Sequence, residues 1–200
     1  MDISNKNSIN IQDAKITVIG FGRSGEGASR LAQHFGASVF ISDGKTDAKM
    51  KSRAHQLEVE GIDVELGGHS DKIYDAELWI ISPGISQDSP IVIEAKSKHI
   101  PVVSEIEFAS WFTQAPIIGV TGSNGKTTTV NILYEMCKTD RLSPALAGNV
   151  GTAFSDTVLN DVINPPSNRV YVLEISSFQM EQIIHFKPFI SVFLNITPDH

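Results

Sequence analysis

Three observations in this sequence predict an α/β protein built on parallel sheets. Short apolar runs alternate with stretches of helical period along the whole chain. Most of those runs are continuously apolar, as strands buried on both faces are. Two of them, one near each end of the first 130 residues, break into glycine-rich turns. Such alternation folds as a parallel sheet with helices on both faces.

In the first half, "AKITVIG" (14–20) is a buried strand, and a helix follows from about Ser24 to Phe35, closed by Gly36. "ASVFISD" (37–43) is the next strand, followed by a helical pattern over Asp47–Glu60 that stops at Gly61. "IDVEL" and "ELWIIS" (77–82) read as strands, Pro90–Lys98 as a helix, and "IPVV" (100–103) as a final short strand. Ser104 and Glu107 have the spacing of a capping box, which opens a new helix, so a domain boundary is expected near residue 103. Beyond it come a strand at 116–121, a helix at about 125–138, an apolar stretch at 143–147 and a helix at about 151–160. A strand at 169–175, a helix at about 176–186 and a strand at 189–196 complete the series. The expected units are 1–103 and 104–200, the second holding only part of an α/β layer structure.

Composition narrows the function. A net charge of −7 with 41% hydrophobic and 20% charged residues argues against a nucleic-acid partner, which calls for a basic face. Cys137 is the single cysteine, so an intrachain disulfide and an all-thiolate metal site are both impossible. It reads as a small buried apolar residue on a helix. The polar start "MDISNKNSINIQD" lacks the apolar core of a signal peptide, and no run is long enough to span a bilayer. A cytoplasmic protein with no membrane insertion is expected. A monomer is the expectation for oligomeric state, on which no motif bears.

Gly20-Phe21-Gly22-Arg23-Ser24-Gly25 matches G-x-G-x-x-G after a strand and at a helix start, with Asp43 at the end of the next strand. This layout supplies a tight turn, a close backbone approach, a helix N-terminus for a diphosphate and an acid for a ribose hydroxyl. It fits any nucleotide diphosphate. A second turn, Ser82-Pro83-Gly84, follows "ELWII" at the same carboxyl edge. The first unit therefore reads as Rossmann-like.

"IIGVTGSNGKTTT" (117–129) is a strand that runs into glycines, a lysine and threonines. The strict G-x-x-x-x-G-K-[ST] pattern is not met, because Val120 stands where its first glycine would be. Gly122-Ser123-Asn124-Gly125-Lys126-Thr127 nevertheless keeps the operative end. Backbone amides and the helix dipole face phosphate oxygens, Lys126 neutralises charge, and the Thr127 hydroxyl suits Mg²⁺. The second unit reads as an incomplete P-loop NTPase-like α/β domain. A magnesium site needs further oxygen ligands, and Glu174, at the end of "RVYVLE", reaches the same sheet edge. An acid there would equally serve the positive end of the next helix. Asp199 and His200 also follow a strand to that edge, and pattern alone does not choose between them. His34, His55, His69, His99 and His185 show no ligand spacing and read as surface residues.

"GVTGSNGKTTT", "GNVG" (148–151), "LEISSFQM" (173–180) and "LNITPDH" (194–200) together resemble the Mur ligase family, in order and over the whole chain. The "GFGRSG" and "SPGI" turns fit the same family, and "SSFQ" with "GSNGK" is most similar to the member that adds D-glutamate. The resemblance implies an ATP-dependent amide ligase of peptidoglycan precursor synthesis, with ATP and Mg²⁺ as cofactors and UDP-N-acetylmuramoyl-L-alanine and D-glutamate as substrates. The γ-phosphoryl of ATP would pass to the substrate carboxylate, and the amine of D-glutamate would attack the acyl phosphate. It implies ATP binding by Gly122, Ser123, Asn124, Gly125, Lys126, Thr127 and Thr128, and metal binding by Thr127, Glu174 and His200. Lys126, Asn149 and His200 would serve catalysis. Arg23, Ser24, Asp43, Ser82, Pro83, Gly84, Asn149, Ser176 and Gln179 would contact the UDP-sugar. Family members run to roughly twice this length, with a C-terminal domain and a carbamylated lysine shortly past position 200. These 200 residues alone are accordingly expected to bind the UDP-sugar and not to turn over. D-glutamate-dependent ADP release from them would overturn that.

Two readings from other classes compete. An NAD-dependent oxidoreductase would use Gly20 to Gly25 and Asp43, but leaves Lys126, Glu174 and "SSFQ" without a role. A non-catalytic nucleotide-binding module would keep both turns and no chemistry. A Mur-type ligase for a different amino acid is a third possibility.

Overall fold

The computed structural model describes residues 1–197, so His200, expected as a catalytic and metal-binding residue, lies outside the described residues. A five-stranded parallel sheet comes first. Its strands are β1 (Lys15–Ile19), β2 (Ser38–Asp43), β3 (Asp63–Leu66), β4 (Leu78–Ile81) and β5 (Val102–Ser104), in the spatial order β3-β2-β1-β4-β5. The helices between them are α1 (Arg23–His34), α2 (Ala48–Val59) and α3 (Pro90–Ser97). Apolar side chains leave this sheet on both faces. Ile16, Val18, Val39 and Ile41 pack with Leu31 of α1, while Ile19, Trp79 and Ile81 pack with Val92 and Ala95 of α3. The chain reverses direction across the sheet between β1 and β4, the switch point at which open α/β sheets bind ligands.

A short helix, α4 (Glu105–Ser110), leads into a second parallel sheet of β6 (Ile117–Thr121), β7 (Ser143–Gly148), β8 (Arg169–Glu174) and β9 (Ile190–Phe193), ordered β7-β8-β6-β9. Its helices are α5 (Lys126–Cys137), α6 (Phe154–Ile163) and α7 (Ser177–Met180). One core runs through both sheets. Ile106 and Phe108 of α4, Phe154 and Val158 of α6, and Leu173 of β8 belong to the same buried cluster as Val18 and Leu31. Half-buried Cys137 packs beside Val120, Val130 and Val172 under α5. Among the described residues no helix is long and apolar enough to cross a membrane.

Four local expectations are corrected. The Ser104 hydroxyl accepts from the Glu107 N–H at 3.2 Å, but the Glu107 carboxylate does not reach back. It accepts instead from Trp111 Nε1 and the amides of Ile184, His185 and Phe186. A complete capping box forms elsewhere, between Ser176 and Gln179. The helix expected from 176 to 186 is therefore only α7, because those three amides bond to a distant carboxylate and not to the preceding turn. The helix expected from 151 starts at Phe154, since Gly148 N–H bonds to the Thr152 carbonyl and Gly151 has φ +76°. Of the expected surface histidines, His185 is half-buried, with Nε2 2.7 Å from the Ile3 carbonyl.

Candidate functional site

The first glycine turn sits at the end of β1, against β4. Gly20 has φ +99°, and its carbonyl lies so close to Gly25 that a Cβ there would stand 2.0 Å from it. That contact explains the third glycine of the motif: α1 can start only where nothing separates it from the strand end. Asp43 secures the turn from β2, with Oδ2 accepting from Phe21 N–H at 2.6 Å and Oδ1 from Lys45 N–H at 2.8 Å. The Ser82 hydroxyl donates to the Gly20 carbonyl at 3.2 Å. A cavity of about 210 Å³ opens here, lined by Gly22, Arg23, Ser24, Ser82 and Pro83 on one side and by Gly148, Asn149, Ala153 and Gln179 on the other. Asp43 and Gly84 do not line it. Arg23 spans it, donating from Nη1 to the Gly151 carbonyl at 2.7 Å.

The second turn joins β6 to α5. Gly122 and Gly125 have φ +142° and +87°, so the loop folds back on itself before the helix begins. Lys126 curls over it, Nζ donating to the carbonyls of Gly122 at 2.6 Å and Ser123 at 3.1 Å. Register decides where Glu174 points. Val120 of β6 pairs with Glu174 of β8, so the carboxylate emerges beside the start of α5. Buried to 3% exposure, it accepts from Thr127 Oγ1 at 2.7 Å and from Asn149 Nδ2 at 2.8 Å. The alternative, in which Glu174 merely starts the next helix, does not describe this geometry. A larger cavity of about 380 Å³ covers the loop, lined by Gly122, Ser123, Lys126, Ser176 and the aromatic rings of Phe178 and Phe193. Asn149 lines both cavities, which therefore adjoin at this residue.

Two residues inside the quoted motifs have roles that the sequence did not assign. Asn195 brackets the lysine loop: Oδ1 accepts from Asn124 N–H at 2.9 Å, Nδ2 donates to the Asn124 carbonyl at 3.1 Å, and its own carbonyl accepts from Ser123 N–H at 3.0 Å. Its place just past β9, on the same edge as Lys126, was the available signal. The second is Gly148, with φ +99°, where an added Cβ would stand 2.4 Å from the Glu174 carbonyl. Asn149 N–H donates to that carbonyl at 2.9 Å, so backbone lies on backbone. Gly148→Ala is expected to destabilise the chain by about 1–3 kcal/mol, a fall of roughly 3–10 °C in Tm measurable by circular dichroism. Among the described residues no three His, Cys, Asp or Glu side chains cluster to hold a metal. At the lysine loop, Thr127 and Glu174 bring their oxygen atoms together.

Comparison with known proteins agrees with this geometry. Residues 15–91 match the MurD N-terminal domain and residues 120–200 the Mur ligase middle domain. The chain is 43% identical over 188 residues to the UDP-N-acetylmuramoylalanine–D-glutamate ligase of Christiangramia forsetii, covering 93% of this chain and 40% of that protein. It is 42% identical over 195 residues to the ligase of the same name from Salinibacter ruber, covering 95% of this chain and 41% of that one. The chain thus spans about 40% of the length of these relatives. Among solved structures, UDP-N-acetylmuramate:L-alanyl-gamma-D-glutamyl-meso-diaminopimelate ligase from Neisseria meningitides superposes with a TM-score of 0.59 at 22% identity, covering 94% of this chain and 62% of that one. UDP-N-acetylmuramate-alanine ligase from Thermotoga maritima gives 0.54 at 23%, covering 94% and 42%. At those identities the likeness is one of fold, and both are Mur ligases. Two domain matches in order, relatives that align along nearly the whole chain, and a lysine-bearing turn facing a strand-end glutamate lead to one conclusion: the chain belongs to the Mur ligase family.

Proposed function

We propose that this chain contributes the UDP-sugar and ATP sites of an ATP-dependent ligase that joins D-glutamate to UDP-N-acetylmuramoyl-L-alanine. The observation that carries the reading is the meeting of two cavities at Asn149, one at the sheet switch point and one over the Lys126 loop. A phosphoryl transfer between two substrates needs that adjacency, because its catalysis is chiefly positioning and charge neutralisation. We take residues 1–103 as the UDP-sugar unit and 104–200 as the start of the ATP unit.

In this reading ATP supplies the phosphoryl group that activates the substrate carboxylate. The amides of Gly122 to Thr128, at the positive end of α5, bind its phosphates, and Lys126 offsets their charge. Thr127 and Glu174 present only oxygen atoms, 2.7 Å apart, a donor set that suits a hard cation such as Mg²⁺. Bound there, Mg²⁺ would supply charge neutralisation, with His200 as a ligand for a second ion. Asn149 orients the reacting carboxylate, its amide held by Glu174. Ser176 and Gln179 contact the sugar side, and Arg23, Ser24, Ser82 and Pro83 line its path, with Gly84 next in the chain, toward a nucleotide seated near Asp43.

Calorimetric titration of the chain tests this reading. Saturable binding of UDP-N-acetylmuramoyl-L-alanine, with no heat from NADH, is the expected result. Saturable NADH binding without uridine binding would transfer the first glycine turn to an oxidoreductase.

A further inference from the structure

Glu107 is the second charged residue of α4, 0% exposed, and among the described residues it has no ion pair within 4 Å. Lys6, a cation close enough to feel its charge, donates to the Ser110 carbonyl at 2.7 Å instead. A carboxylate in that position is costly unless hydrogen bonds replace its water. They do. Oε1 accepts from Trp111 Nε1 at 2.7 Å and from His185 N–H at 2.9 Å. Oε2 accepts from the amides of Ile184 at 2.9 Å, His185 at 3.0 Å and Phe186 at 2.8 Å. Three consecutive backbone amides thus converge on a side chain some 77 residues earlier in the chain.

The segment so held lies directly after α7, whose single turn is far too short to be stable by itself. Two further contacts fasten it, Gln87 Nε2 to the Glu181 carbonyl at 3.0 Å and His185 Nε2 to the Ile3 carbonyl at 2.7 Å. The stretch 176–180 is therefore suspended between the end of β8 and this buried anchor. It carries Ser176 and Phe178 in one cavity and Gln179 in the other. The lysine loop is secured differently, by β6 and Asn195. We infer that Glu107 is a positioning residue: through the amides of Ile184, His185 and Phe186 it sets the wall of the site formed by Ser176 to Gln179. The inference rests on the proposed function for which ligand that wall meets, but not for the mechanics of the wall.

Glu107→Gln keeps the volume and turns one acceptor into a donor facing N–H groups. Amide hydrogen exchange on the unliganded chain should then quicken by about 10–100-fold at 184–186 and follow in the same direction at 176–180, while 119–130 stays unchanged. Calorimetry should show UDP-N-acetylmuramoyl-L-alanine bound about tenfold more weakly, and Mg·ADP weakened by less, since Ser176 and Phe178 border its cavity but the lysine loop is secured separately. Glu107→Asp, which restores the charge, should recover part of both effects, and it decides the matter in the same way if the Gln variant does not fold. Exchange that quickens uniformly across the chain, or not at all at 176–180, overturns the inference. Should the parent chain bind no UDP-sugar, the functional reading fails, and the exchange pattern still decides the role of Glu107.

Discussion

Lys126→Ala is expected to weaken binding of Mg·ATP by on the order of 10²–10³-fold, about 3–4 kcal/mol, with the fold retained. The size of the effect follows from what surrounds the ammonium. Lys126 Nζ is half-buried against its own loop, bonded to the carbonyls of Gly122 and Ser123, and among the described residues no carboxylate lies within 4 Å of it. Those two bonds hold the charge over the N-terminus of α5, where amides already favour an anion. Alanine removes the only full positive charge in that loop and leaves the dipole, which is worth much less. Stability should change little, because alanine suits the first helical position and the two freed carbonyls can turn to water. Lys126→Arg should not rescue binding, since a planar guanidinium cannot curl into the same turn. Calorimetric titration with Mg·ATP measures all three proteins. Equal affinity in the parent chain and Lys126→Ala would remove Lys126 from the nucleotide site.

The parts of the site that could be read beforehand are those fixed by strand-end logic. Lys126, Thr127 and Glu174 had to share an edge once β6 and β8 were parallel neighbours, and the register of Val120 with Glu174 places them so. The first sheet was legible for a similar reason, its central strands β1 and β4 being largely apolar runs that end in glycine turns. What could not be read depends on contacts far apart in sequence. "SSFQMEQIIHF" carries a helical pattern, but the amides of Ile184 to Phe186 bond to Glu107 and the helix stops at Met180. Ser104 and Glu107 have capping-box spacing, yet only the serine half forms, because the glutamate bonds to three amides in a distant segment. The contact between Asn149 and Glu174 likewise has no local signature. It requires Gly148 to lie on the Glu174 carbonyl, which a single sequence does not announce. Asp43 was legible as a residue of the first turn, while its bonds to Phe21 and Lys45 show it holding that turn outside the cavity lining.

Glu105→Gln is expected to raise the stability of the chain at pH 8 and to flatten its dependence on pH. Glu105 opens α4 at 1% exposure, with Oε1 accepting from the Ser155 amide at 2.6 Å and from the Ser155 hydroxyl. Oε2 has no partner among the described residues. Burial pushes its carboxyl up from 4.5 to about 7; the Ser155 bonds oppose the shift, and the negative charge of neighbouring Asp156 adds to it. Asp156 is itself raised by burial, with Arg30 pulling the other way. A raised folded-state value means that the unfolded chain releases its proton first. The stabilising contribution is therefore complete below pH 4.5 and is lost as pH rises through about 7. Over that span the loss is about 3 kcal/mol. Glutamine keeps an acceptor for Ser155 and never titrates, so it escapes this loss. Its amide nitrogen replaces an oxygen that already lacked a partner. At pH 8 the variant should exceed the parent by roughly 1–3 kcal/mol, or about 3–10 °C in Tm, and at pH 5 the two should nearly coincide. Asp156 acts with the same sign, so a weaker slope should persist in the variant, and the difference between the two Tm curves is the quantity to read. Parallel curves from pH 5 to 8 would mean that Glu105 holds no extra proton in the folded chain.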